Sequence, residues 1–346
     1  METGRSAVAI VGAGIIGCLA AREVATRGAG THVTLLDRDA VGAGASRRSA
    51  GLHLLRGATA RTRSMSNYSH GYYAKLARDH PGTLINPVGA TVVAEQGLIG
   101  RYLPLAAPRP ASVPASVDVS VPPGMRAWRV SGSHYSDVYR LTQALALELR
   151  RRVDLLEGMT VAGLESGDDT VTLRCGTGTE LTVDGVILSP GPWLGTPAWR
   201  ALVAPLGLRV KRIVALHIAR RPAPGDQAIL LDSDDAFLLP LAHRGHWLFS
   251  YSCREWDIDP DAPAAGLTAA HLQAARDCLR RYSPRLAEAC QGGRLFCDAY
   301  SPDGEPVVRA LDPAGRVVFA GAAGGSGYRL GPAIAAEAAD LLAHRS

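Results

Sequence analysis

Gly12, Gly14 and Gly17 are spaced as a phosphate-binding turn requires. In such a turn the first glycine permits a tight bend and the second lets the backbone approach a pyrophosphate. The third lets a helix pack closely on a strand. A helix opening at Ile15 and Ile16 points unused N–H groups and the positive end of its dipole at the phosphates. Asp37 stands twenty residues after Gly17, where a carboxylate can accept hydrogen bonds from an adenosine ribose. Its neighbour Arg38 is a second candidate at that end of the ligand. A lone glycine pattern says little. Here strand, glycines, helix, second strand and acid follow in order, which points to a dinucleotide without deciding between NAD and FAD.

The surrounding pattern supplies the frame. Residues 7–11 are apolar enough for a buried parallel strand, residues 15–26 read as a helix ended by glycines, and residues 32–36 read as a second strand. Residues 42–57 are rich in Gly, Ser and Arg and read as loop. A helix is expected at 62–79, with Tyr68, Tyr72, Tyr73 and Leu76 on one side, and another at 137–152 on fourfold leucine spacing. Strands are expected at 160–164, 170–175 and 181–188. Residues 208–256 alternate apolar and polar, as a half-exposed antiparallel sheet would. A helix at 268–281, a strand at 317–320 and a helix at 333–344 with Pro332 in its first turn complete the chain. The expected class is α/β (α+β), with a Rossmann-like nucleotide domain at 1–80, 131–207 and 300–346. An interleaved antiparallel-sheet substrate domain is expected at 81–130 and 208–299.

Composition narrows the function classes. Apolar residues at 47% and charged residues at 20% of 346 give an ordinary globular balance with material for more than one unit. The net charge of +5 is spread thinly, with no basic run longer than Arg150-Arg151-Arg152, so nucleic acid is not an expected partner. Cys18, Cys175, Cys253, Cys278, Cys290 and Cys297 form no CxxC pair and no zinc spacing. Reduced thiols in a cytoplasm are expected, and no metal site is. No signal peptide, membrane span or internal repeat is read from the pattern.

Three further segments bear on the cofactor. Gly44-Ala45-Ser46-Arg47-Arg48-Ser49-Ala50-Gly51 follows the second strand. Val186-Ile187-Leu188-Ser189-Pro190-Gly191-Pro192-Trp193 looks like a strand reaching the ligand and ending in a glycine turn. Near the end comes Phe319-Ala320-Gly321-Ala322-Ala323-Gly324-Gly325-Ser326-Gly327-Tyr328-Arg329-Leu330-Gly331-Pro332. With the first motif these resemble the D-amino-acid oxidase superfamily, which includes glycine and sarcosine oxidases. Ser301-Pro302-Asp303-Gly304-Glu305-Pro306-Val307-Val308 is similar to its TPDGxPVI element. The resemblance covers nearly the whole chain, and its middle third only in pattern. It implies FAD, with Ser46, Arg47, Arg48, Ser49, Ala50 and Gly51 at the pyrophosphate and flavin edge. It also implies Val161 at the adenine through its backbone and Gly191 near the adenosine. Gly324, Gly325, Ser326, Gly327, Tyr328, Arg329 and Leu330 would lie at the flavin. Charge agrees, since reduction puts negative charge near flavin N1 and the C2 carbonyl, where a glycine loop and helix N-terminus can aim N–H groups.

The resemblance also implies a reaction: hydride loss from the α-carbon of a neutral amine to flavin N5, giving an imine, with oxygen the usual final acceptor. Position and charge rather than a strong base would carry the rate. The substrate handle is where this chain departs. Relatives that bind α-amino acids often carry arginine just before the TPDG element. The corresponding residue here is Asp298, and a carboxylate repels a carboxylate. Asp298 could bind an ammonium or hydroxyl, serve structure, or merely line the site. Arg329 is the candidate for a relocated carboxylate handle, by bidentate pairing, or else pairs with a nearby acid. Tyr300 could orient substrate or pack in the core, and His53, just past the flavin-edge loop beside Arg56, is open to a catalytic or a structural role. Cys297 lies one residue out of register with the cysteine to which sarcosine-oxidase-type relatives attach FAD.

The expected activity is therefore oxidation of a C–N bond in an amine, amino acid or imino acid, with an unusual substrate of a specialised pathway favoured. Two alternatives stand beside it. One is an NAD(P)H-dependent flavin monooxygenase, whose second nucleotide motif would fall at Gly167-Asp168-Asp169, although that triplet reads as a hairpin turn. The other is a flavin-binding subunit of a dehydrogenase complex.

Overall fold

In the computed structural model, which describes residues 6–28, 30–80, 82, 84–262 and 266–344, the chain divides into two units. The first holds residues 1–49, 138–210 and 298–346, and the second residues 50–137 and 211–297. The boundaries differ from expectation at one end: residues 50–80 and 131–137 belong to the second unit. Strand pairing is the reason. Leu52–His53 and Ile85–Pro87 both hydrogen-bond to His134–Ser136, forming a three-stranded sheet that ties these segments together.

The first unit is built on a six-stranded sheet. Its order is Val307–Ala310, Val317–Gly321, Gly185–Leu188, Ala7–Val11, His32–Leu36, Asp154–Leu156. All pairings are parallel except the first. The strands Ala7–Val11 and Gly185–Leu188 are apolar throughout and buried, because helices must cover both faces of such a sheet. Helix Ile15–Arg27 packs on helices Val138–Leu149 and Gly327–Ala343, burying Ile15, Cys18, Leu19 and Val24. The run expected as one strand at 181–188 is two. Glu180–Val183 joins an antiparallel three-stranded sheet and Gly185–Leu188 the parallel one. The break is Asp184, whose carboxylate accepts the Ala7 N–H at 2.6 Å while its own N–H donates to the Ala7 carbonyl at 2.8 Å.

The second unit carries an eight-stranded sheet in which Arg209–Ile218, His246–Tyr251, Ala236–Leu241, Ala228–Leu231, Ala90–Ala94 and Arg126–Val130 are successive neighbours. It is not half-exposed as expected. Side chains alternate between two cores, Trp247, Phe249, Leu238, Val214 and Leu216 on one face and Leu248, Leu239 and Ala215 on the other. Helix Ala269–Arg280 covers the first face through Ala275 and Leu279. A sheet buried on both sides loses the polar half of its alternation. Helix Ala60–Asp79 starts at a capping box, with Thr59 and Thr62 each accepting the other's backbone N–H. It buries Met65, Ser66, Tyr73 and Leu76, whereas Tyr68, expected on that side, is 46% exposed.

Candidate cofactor and active site

The glycine turn adopts the form its spacing demands. Gly12 has φ +100°, and a Cβ there would lie 2.3 Å from the Ser189 carbonyl oxygen. Gly17 sits so close to the turn that a Cβ would lie 1.8 Å from the Gly12 oxygen. Gly14 differs: its nearest neighbour is the Ser46 hydroxyl at 3.3 Å, so this face of the backbone stays open to a ligand. The first bond inside the helix runs from the Cys18 N–H to the Gly14 carbonyl at 3.0 Å, which leaves the N–H groups of Ile15, Ile16 and Gly17 outside the helix ladder. Ser46 Oγ accepts the Ile15 N–H at 2.9 Å and retains its own proton to donate to an anion. Ser46 itself is buried on the short helix Ala45–Arg48.

Asp37, expected at the adenosine end, is held by backbone donors. Its two oxygens accept the Ala13 N–H at 2.6 Å and the Asp39 N–H at 2.9 Å. Loss of water pushes its pKa above the usual carboxylate value, against the pull of those two bonds. Arg38 lies over the Trp193 ring, 4.5 Å from its centroid. Gly44 passes so near that ring that a Cβ would be 3.0 Å from it. The segment leading to Val161 lies beside the same acid, with the Met159 N–H on the Asp37 carbonyl at 2.7 Å. Val161 is buried, and the ladder with the next strand slips just after it. Gly191, at φ +59°, turns the chain after Ser189, whose hydroxyl reaches the carbonyls of Val11 and Gly12 at 3.1 Å each. Arg47 stands over Tyr139 at 5.5 Å, and Arg48 is exposed. Ser49 ends the first unit, while Ala50 and Gly51 fall in the second, where Gly51 accepts the Ser136 N–H. Tyr139, the hydroxyl contacts of Ser189 and the ring role of Trp193 carried no sequence signal of their own.

The C-terminal loop is shorter and its helix longer than expected. The helix begins at Gly327 rather than 333, so Tyr328, Arg329 and Leu330 are helical and Pro332 lies inside it. Its first ladder bond runs from the Leu330 N–H to the Ser326 carbonyl at 2.9 Å; the N–H groups of Gly327, Tyr328 and Arg329 precede that ladder. Arg329 donates to the Ser326 hydroxyl at 2.9 Å. Ahead of the helix, Gly324 and Gly325 have φ +53° and +76°. A Cβ on Gly324 would meet the Tyr300 ring at 3.0 Å. One on Gly325 would lie 3.5 Å from the Tyr300 hydroxyl and 3.8 Å from Asp298 Oδ2. The two polar groups therefore converge over one side-chain-free turn. Asp298 is partly buried, and loss of water alone pushes its pKa up to about 7. Cys297 precedes it on the same strand, Cys290–Tyr300.

His53 is fully buried in the second unit, stacked on His134, so its ring does not face solvent as an acid or base. The triplet Gly167-Asp168-Asp169 is a hairpin turn as expected, closed by the Gly167 N–H on the Thr170 carbonyl at 2.9 Å. Among the described residues no helix is long and apolar enough to cross a membrane.

The glycine turns, the two helix N-termini and Ser46 fit an anionic dinucleotide: a side chain would fill or distort each turn, and the donors are backbone or hydroxyl groups. Comparison with known proteins agrees. A family model described as FAD dependent oxidoreductase (DAO) matches residues 7–341. No curated protein sequence gives a significant match. Among solved structures, glycine oxidase from Geobacillus kaustophilus is 17% identical with a TM-score of 0.77, covering 98% of this chain and 95% of that one. Iminodiacetate oxidase from Chelativorans sp. BNC1 is 20% identical with a TM-score of 0.76, covering 98% and 96%. L-proline dehydrogenase from P. horikoshii is 16% identical with a TM-score of 0.79, covering 99% and 94%. At these identities the likeness is one of fold.

Proposed function

The chain belongs to the FAD-dependent oxidoreductase (DAO) family, and on that premise we propose that it oxidises a C–N bond of an amine whose nitrogen or hydroxyl side is held by Asp298. FAD, when bound, supplies the two-electron acceptor. Gly12, Gly14, Gly17 and Ser46 would hold its pyrophosphate, and Asp37 its ribose. Gly324, Gly325 and the start of the helix at Gly327 would hold its flavin end. An ammonium substrate first gives one proton to the Asp298 carboxylate; the neutral amine then loses a hydride from its α-carbon and a second proton from its nitrogen, leaving an imine that water hydrolyses. Oxygen as final acceptor and a cytoplasmic location are part of the same reading.

One observation carries the assignment at Asp298. Its carboxyl and the Tyr300 hydroxyl converge over Gly325, at the position where amino-acid-binding relatives carry arginine. With a pKa near 7, the carboxyl is ionised in part at neutral pH, and a cationic amine draws it further toward the carboxylate. The ionised form accepts N–H bonds, and Tyr300 fixes direction. Positioning of this kind is worth several orders of magnitude in rate. Arg329 remains the proposed handle for any carboxylate on the substrate, with Ser326 holding its guanidinium in place.

The test is anaerobic bleaching of the bound flavin by a panel of amines, amino alcohols, imino acids and D- and L-amino acids. Substrates lacking an α-carboxylate are expected to bleach it fastest. If only simple α-amino acids act, the reading at Asp298 fails. If Arg329→Ala leaves the affinity for carboxylated substrates unchanged, the handle is elsewhere. Rapid bleaching by NADPH alone favours the monooxygenase alternative. No bleaching by any amine, together with co-purification of another chain, favours the subunit alternative.

A further inference from the structure

The second unit brings three imidazoles together from three separate segments. His53 and His134 face each other as registered partners on adjacent antiparallel strands, so their side chains leave the same face. Their rings stack at 4.5 Å between centroids and 10° between planes. His70 comes from the helix Ala60–Asp79 and lies 5.7 Å from His53 and 6.3 Å from His134, centroid to centroid. The helix is fastened there by the Ser66 hydroxyl, which donates to the Leu54 carbonyl at 3.0 Å. Tyr73, one turn on, sets its ring edgewise against both His53 and His134. One nitrogen from each histidine lies within 4.8 Å of the other two. His53 is 0% and His134 7% exposed, and the His70 Nδ1 is buried with no hydrogen-bond partner among the described residues.

We propose that His53, His70 and His134 form a binding site for one divalent transition-metal ion, zinc foremost, that clips the helix Ala60–Asp79 to the strands Leu52–His53 and His134–Ser136. The donor set is the argument for the metal class. Imidazole nitrogens suit zinc, copper, nickel and iron, and a set without carboxylates disfavours magnesium and calcium. Three imidazoles with one position left for water is a known zinc arrangement. Neutral imidazole is the ligating form. Tetrahedral coordination at 2.0–2.1 Å needs nitrogens about 3.3 Å apart, so the trio must contract from its present spacing. The near-parallel stack of His53 on His134 directs their in-plane lone pairs side by side rather than together. Binding therefore turns at least one imidazole out of the stack, and metal–nitrogen bonds replace that ring contact. The two strands and the helix already hold the three Cα positions, so only side-chain torsions move.

The full-length, FAD-loaded protein is stripped with a chelator, desalted and titrated with zinc chloride against a chromogenic competitor. The expected result is one equivalent retained with micromolar or tighter affinity and a higher unfolding temperature. His70→Gln, at the least buried ligand, is expected to weaken zinc by about a hundredfold or more, since even loss of an outer-shell partner costs 10–100-fold. Its metal-free unfolding temperature should match that of the parent. His246→Gln, in the separate His217–His246 pair, should change nothing. A check without substitutions uses protein labelled with ¹⁵N in histidine, in which zinc should shift the imidazole signals of three residues. Failure of the parent to retain an equivalent overturns the proposal, as does unchanged affinity in His70→Gln or a shift of other histidines.

Discussion

The two candidate sites rest on opposite means. In the first unit the proposed ligand-facing groups are mainly backbone: N–H donors at two helix starts, glycines where a Cβ would collide, and Ser46, Asp37 and Asp298 as the polar side chains. In the second, the candidate groups are side chains, namely His53, His70 and His134 around Tyr73, and the half-buried His217–His246 pair. A backbone site depends on space and local conformation. A side-chain site depends on which segments the sheet brings together. Substitutions should therefore fail differently in each.

The largest effect is expected from Gly17→Val. Its Cβ would sit 1.8 Å from the Gly12 oxygen, so the helix must move off the strand. The protein should be isolated without flavin, as its absorption spectrum will show; a yellow variant with normal flavin content would break the contrast. Next is Asp298→Asn, which removes a charge-assisted bond worth about 1.5–3 kcal/mol. The expected loss is about ten- to a hundredfold in kcat/KM for a cationic amine. In the parent, a limb of the kcat/KM profile should rise through pH 7 as Asp298 ionises, separate from the substrate's own titration, and the Asn variant should lack it.

Unit two offers a pH test of its own. Burial holds His217 near pKa 4, helped by His246, Arg294 and Arg244, whereas the unfolded imidazole titrates near 6.5. Between those values the unfolded chain binds the extra proton. Stability is therefore full above about pH 6.5 and is lost as pH falls toward 4. His217 is partly exposed, so the loss is discounted to on the order of 1–2 kcal/mol. Urea unfolding at pH 7.5 and pH 5 should show it, and His217→Asn should reduce the difference, since other buried imidazoles such as His134 contribute in the same direction. The smallest effect is expected from Ser46→Ala, which strips the Ile15 N–H of its acceptor at about 1 kcal/mol, read as weaker FAD affinity with unchanged folding of the second unit.

What the sequence revealed follows the same division. The glycine turn, Asp37 and the strand–helix–strand order were legible because they are local and each residue type has one steric reason. The start of the last helix was misplaced because Pro332 looks like a first-turn residue, while Gly327 extends the helix back into the loop. The strand at 181–188 was read as one because nothing in a single acid, Asp184, announces that it will bond across to Ala7. The second unit's main sheet was read as half-exposed, since its polar positions do not reveal that both faces hold cores. His53 stands out in the sequence only as a single residue. Its partners at 70 and 134 lie on a helix and a distant strand, and no spacing rule joins them.

The parallel sheet places the first strand, Ala7–Val11, between His32–Leu36 and Gly185–Leu188, with Val317–Gly321 beyond. On a ribosome adding about 5–20 residues per second, the glycine turn emerges roughly 15–60 s before the last of those strands. The nucleotide cradle is begun first and finished last. Until Val317–Gly321 joins it, the strand Gly185–Leu188 has an apolar edge without its partner, so a complete cradle for the cofactor waits on a strand made about 300 residues after the glycine turn.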